Sequence, residues 1–159
     1  MGTATHVSAY WNTTVALEKP TSWRYVKAAP SAAVSSVVTA DGSGDVTLTA
    51  AGLLTVNAAV SSGTGDLSLT GGTGVTHNAS GDLTTTGVGT IGVTATANSI
   101  TMADGTVYST GTGDVTLLAA ANVVLGQITT TSSTVSVTAT TGNITDITAA
   151  ETANVTGGT

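Results

Sequence analysis

The chain has no cysteine, no phenylalanine, 2 prolines and 3 basic residues among its 159 positions. Without cysteine, disulfides and thiolate metal sites are excluded. The net charge of −6 and a pI near 4.3 argue against nucleic-acid binding, which needs a basic stripe. No apolar run approaches the roughly 18 residues of a membrane-spanning helix, so no membrane span is expected. Aromatics make up 3% and charged residues 8%, the latter against about a quarter in ordinary globular proteins. A conventional core of large side chains, laced with surface ion pairs, is therefore not what this sequence encodes.

What the chain has instead is 36 Thr, 23 Ala, 20 Gly and 19 Val. Apolar residues reach 40% and mean hydropathy is +0.33, which argues against disorder. These are small β-formers, suited to pleated, half-buried surfaces.

Charge is unevenly placed. Lys19, Arg24 and Lys27 all lie in the first 27 residues with one acid, Glu18, giving +3 − 1 = +2. Residues 28–159 hold eight acids and no base, giving −8. Tyr10, Trp11, Trp23 and Tyr25 sit in the same N-terminal stretch. This shift divides the chain into an aromatic, basic segment at 1–40, read as a cap or docking element, and a repeat domain at 41–159. The start, Met1-Gly2-Thr3-Ala4-Thr5-His6, carries no signal-peptide pattern. A cytoplasmic chain, a processed chain or a piece of a longer one all fit that start.

The motif G-[ST]-G-D-[VL]-[TS]-L occurs at Gly42–Leu48, Gly63–Leu69 and Gly111–Leu117, with weaker copies at Ser80–Thr84 and Thr141–Thr145. Anchors at 45, 66, 82, 98, 114 and 143 stand 21, 16, 16, 16 and 29 apart. Each opens an apolar/polar alternation, the period of a strand with one buried face. No capped 3.6-residue stripe is present. A repeat this short cannot bury its own apolar face, so the copies must stack, strand on equivalent strand. The expected fold is all-β: a parallel β-solenoid of about six coils, roughly 30 Å long at ~4.8 Å per coil. Val, Leu, Ile and Ala should line a slim interior, and Thr the outside, with stacked hydroxyls bonding along the ladder.

The corners Gly44-Asp45, Gly65-Asp66, Gly81-Asp82 and Gly113-Asp114 are expected to be structural. Glycine would supply a positive φ, and aspartate would accept a bond from its own backbone two residues on. The competing reading is calcium shared by Asp45, Asp66, Asp82 and Asp114. Stacked exposed carboxylates need no cation, however, because at about 5 Å in water they repel by only ~0.8 kcal/mol. No cofactor is expected.

These G-D-[VL]-T-L runs, above all Gly113–Leu117 through Thr138–Thr145, resemble the repeats of filamentous-haemagglutinin-like large exoproteins and autotransporter adhesins. The resemblance covers about residues 35–157. It implies a right-handed β-helix, export to the bacterial surface, and a role in adhesion, biofilm or as a stalk, with a glycan or protein receptor. It brings no catalytic residue.

Three other functions compete. An enzyme is disfavoured: lyase chemistry on such a scaffold wants a Lys or Arg base, and the repeats have neither. His6 and His77 stand alone, Asp104-Gly105 reads as a turn, and Asp146 is off-pattern. Ice binding would use threonine arrays such as Thr94-Ala95-Thr96, Thr110-Gly111-Thr112 and Thr129-Thr130-Thr131. Self-assembly is the third, because a solenoid with open ends can stack end to end into a filament. The long stretch without Lys or Arg offers trypsin no site, which suits an extracellular or cell-surface setting. Sequons at Asn12, Asn78, Asn143 and Asn154 are expected by chance in so Thr-rich a chain.

Overall fold

The computed structural model describes the backbone of residues 5–9, 13–15 and 24–28, and backbone and side chains of 31–147 and 154–157. All regular structure there is β, and every strand pair is parallel. The described strands form three sheets of 7, 7 and 6 members, visited in strict rotation from Arg24 onward. The first sheet holds Thr5–Ala9, Arg24–Ala28, Val46–Ala50, Leu67–Gly71, Ile91–Ala95, Val115–Ala119 and Val135–Ala139. The second holds Thr13–Val15, Ala32–Val34, Leu53–Val56, Gly74–His77, Ile100–Met102, Val123–Leu125 and Ile144–Asp146. The third holds Val38–Ala40, Val60–Ser62, Leu83–Thr84, Val107–Thr110, Gln127–Thr130 and Val155–Gly157. The fold is thus a three-faced parallel β-solenoid, with five turns from Val46 onward and a sixth, Arg24–Ala40, before them.

Alternation decides which side chain goes inside. In the first sheet Val46, Leu67, Ile91 and Val115 lie in register, and each is at most 1% exposed. Leu48, Leu69, Val93 and Leu117 form a second inner column, and Ala50, Gly71, Ala95 and Ala119 a third. Their neighbours, such as Thr47, Ser68 and Thr116, face outward. The expected column of equivalent Val and Leu residues is therefore present. Threonine also stacks outside as expected: Thr39 and Ser61 share a hydroxyl–hydroxyl bond of 3.1 Å.

Turn length departs from the spacing of the motif copies. From Arg24 onward, first-sheet strands start at 24, 46, 67, 91, 115 and 135, so a turn takes 20–24 residues, where the motif spacing implies repeats of roughly 16–21. The anchors fall on different corners: Asp45, Asp66 and Asp114 precede first-sheet strands, Asp82 a third-sheet strand, and Asn98 and Asn143 second-sheet strands. Residues before the first-sheet strands at Ile91 and Val135 are Thr90 and Thr134, which carry no Gly-Asp signature.

The described strands of the N-terminal segment join the same three sheets. Arg24–Ala28 pairs with Val46–Ala50, placing Tyr25 and Lys27 at the register positions of outward Thr47 and Thr49. Tyr10, Trp11 and Trp23, read as capping residues, lie outside the described residues.

Column membership carries a direct consequence. Leu117→Ala removes a fully buried side chain and should cost about 2–5 kcal/mol, whereas Thr116→Ala on the outer face should stay within about 0.5 kcal/mol. Denaturant unfolding of the two variants measures the contrast, and equal losses would contradict the assignment of faces.

Candidate functional site: the Gly-Asp corners and the buried His77–Tyr108 pair

The repeated motif is where the sequence concentrates its polar chemistry, and its geometry is specific. In Gly111-Thr112-Gly113-Asp114, the Thr112 hydroxyl donates to the Gly87 carbonyl of the preceding turn at 3.0 Å. The Asp114 carboxylate accepts the Thr134 N–H of the following turn at 2.8 Å. The same division recurs lower in the stack. Thr86 Oγ1 donates back to the Gly63 carbonyl at 2.8 Å. Asp45 accepts the Asp66 N–H at 2.8 Å, and Asp66 Oδ1 accepts both the N–H and the hydroxyl of Thr90 at 2.8 Å. Asp82, at the corner before the third sheet, accepts the Val107 N–H at 2.8 Å. Threonine reaches one turn back and aspartate one turn forward.

This corrects the sequence expectation of a local turn. The carboxylate closes a bond 20–25 residues away, across to the next layer. The glycines are also explained differently. Among described residues positive φ occurs at Gly42, Gly87 and Gly105, not at Gly44, Gly65, Gly81 or Gly113. Gly105 is the turn expected of Asp104-Gly105. At the Gly-Asp corners the need is for close approach instead. A Cβ on Gly65 would stand 2.3 Å from the Gly44 carbonyl oxygen, and one on Gly113 would stand 1.9 Å from that of Gly89.

Inside the same corner runs a second set of hydroxyls. Ser62, Thr85 and Thr110 point inward and donate to the carbonyls of Gly44, Gly89 and Gly113 at 2.6, 2.7 and 2.7 Å. Thr130 continues this column. Thr110 and Thr130 are each 4% exposed, and Thr94 lies on the first sheet while Thr110 and Thr129 lie on the third, so the three threonine triplets do not share one face. Sequence reasoning missed these inward hydroxyls because threonine fits either face of a strand.

The aspartates do not converge. Among the described residues no three His, Asp or Glu side chains gather where they could hold a metal ion, and the four calcium candidates each use Oδ1 on a backbone N–H. Asp146 accepts from the Asn154 amide at 2.8 Å. A shallow groove of about 320 Å³ runs beside Leu118 on the outer first sheet, lined by Thr94, Ala95, Thr96, Ala120, Thr140 and Thr141. It contains no titratable group and so nothing for acid–base chemistry.

His77 is the unexpected residue. It lies in the inner column between Val56 and Met102, fully buried. Its Nδ1 donates to the Gly81 carbonyl at 2.8 Å. Its ring meets that of buried Tyr108 edge-on, centroids 5.1 Å apart. The strand alternation Val75-Thr76-His77 is the signal that places it inside. Burial lowers its pKa from 6.5 to about 4, opposed by the bond to Gly81, and burial raises that of Tyr108 well above 10.

Comparison with known proteins finds no matching family model, no matching curated protein and no matching solved structure. The likeness to filamentous-haemagglutinin-type repeats rests on the motif alone.

Two outcomes follow. Asp66→Ala strips an acceptor from Thr90 and should cost about 1–2 kcal/mol. Asp66→Asn should recover most of that, because Asn122 already performs this role, its Oδ1 accepting the Asn143 N–H at 2.9 Å. Equal destabilisation by both variants in denaturant unfolding would show that charge, not the acceptor, matters. For His77, the unfolded chain takes up a proton between pH 6.5 and about 4 that the folded chain refuses. Stability should therefore fall as pH drops through that window, by at most about 3 kcal/mol, and level off below it. His77→Met should flatten this part of the pH profile; an unchanged slope would contradict the buried, neutral imidazole.

Proposed function

We propose that the chain is a non-catalytic structural rod of the cell surface, serving adhesion, biofilm cohesion or envelope structure. The observation that carries this reading is the corner ladder. The carboxylates of Asp45, Asp66, Asp82 and Asp114 and the hydroxyls of Thr86 and Thr112 are spent on bonds between successive turns. Side chains used this way stiffen a shaft. The motif's likeness to surface exoprotein repeats, and the absence of Lys and Arg over residues 28–159, support exposure to an environment rich in proteases. Recognition of a glycan or protein receptor would then fall to the uncharged, hydroxyl-covered faces.

One observation favours a second reading, a filament of chains stacked end to end. In the turn from Val135 to Gly157, the inner residues Val135, Val137 and Ala139 are only half-buried, and Ile144 and Val155 are 48% and 43% exposed. Another layer of parallel strands would cover them, from further chain or from another copy.

Immunogold labelling of the producing cells tests the first reading. Label on the outer surface is expected, and label confined to the cell interior would overturn it. Electron microscopy of the purified chain separates the two. Short isolated rods about 30 Å long fit the shaft, whereas long unbranched filaments fit stacking.

A further inference from the structure

We infer that the solenoid interior holds one water molecule bridging His77 and Tyr108. The His77 tautomer follows from its neighbour: a carbonyl oxygen can only accept, so Nδ1 carries the proton donated to Gly81. That leaves Nε2 as a bare acceptor. It is buried and has no partner, and the Tyr108 hydroxyl is likewise buried and unpartnered. One is an acceptor and the other a donor, on rings already in edge contact at 5.1 Å. A single water satisfies both, donating to Nε2 and accepting from the phenol.

The corner beside the two rings differs from its neighbours in length. The connection between second- and third-sheet strands is 57–59 below His77, then 78–82 and 103–106 in the turns of His77 and Tyr108, and shrinks to Gly126 alone above them. The connections 78–82 and 103–106, longer than those directly below and above, belong to the two turns that carry the polar rings. Where the connection is one residue, a Cβ on Gly126 would already lie 2.7 Å from the Thr106 carbonyl oxygen. Above the two rings the connection closes tightly at Gly126. Buried waters sit where polar groups would otherwise be orphaned. Leaving two such atoms dry costs more than immobilising one solvent molecule.

The inference is independent of the function proposed for the rod. A crystal structure of the unmodified chain, at a resolution that shows ordered solvent, tests it. One density peak within hydrogen-bond distance of both Nε2 and the phenol oxygen is expected. A dry gap, or a direct bond between the two side chains, would overturn it. Nitrogen-15 NMR of the histidine ring gives a second readout in solution. Nε2 should show the displacement of an unprotonated nitrogen that accepts a hydrogen bond, with a water cross-peak to the ring; a resonance typical of an unbonded ring nitrogen would overturn the bridge.

Discussion

In a parallel solenoid backbone N–H groups find their acceptors one layer away, and at the corners some, such as those of Thr90 and Thr134, find a carboxylate there instead of a carbonyl. That constraint accounts for most of what distinguishes this chain. Along the strands the ladder satisfies the backbone without help, and the side chains need only alternate. At a corner the backbone pairing continues in part, as from Thr112 N–H to the Gly87 carbonyl, and is completed by side chains. Aspartate placed there offers a carboxylate to the N–H above, as Asp66 does for Thr90 and Asp114 for Thr134. Threonine two residues earlier offers a hydroxyl to the carbonyl below, as Thr112 does for Gly87. Glycine between them lets the layers close to contact distance. The short motif is therefore a two-way clasp between turns.

This division also explains the placement of charge. Asp41, Asp45, Asp66, Asp82, Asp104 and Asp114 all fall between strands, and the outward strand positions from Thr39 to Thr129 carry hydroxyls, small residues, a few apolar side chains and the Gln127 amide. Over residues 38–130 the acids are thus arranged at the corners while the strands of the three faces carry no charge. Stacked carboxylates repel only weakly in water, and each one accepting an N–H is further stabilised by that bond. The corner lines therefore need no counter-cation to stand in register.

Much of this was legible in the residues. The alternation Val46-Thr47-Leu48 and Val135-Ser136-Val137 announced strands with one buried face, and repetition of the seven-residue motif announced stacking. The length of a turn was not, because Asp82, Asn98 and Asn143 mimic the Gly-Asp corner at the other two edges of the triangle, while Thr90 and Thr134 hold the first edge without it. A residue that receives the clasp leaves no signature of its own. The role of aspartate was also hidden, since a carboxylate bonding its own turn and one bonding the next layer use the same residue. The inward polar column of Ser62, Thr85 and Thr110 and the pair His77 and Tyr108 break the simple rule that apolar residues face in. Only the alternation of neighbours such as Val75 points them to the interior.

The central claim is that equivalent residues of successive turns lie directly over one another. Methyl NOE spectroscopy on selectively labelled protein reads this without any variant. Contacts should link Val46 to Leu67, Leu67 to Ile91 and Ile91 to Val115, with none skipping a layer from Val46 to Ile91 or to Val115. Contacts that instead join each strand to its sequence neighbour as antiparallel hairpins would contradict the stacked rod.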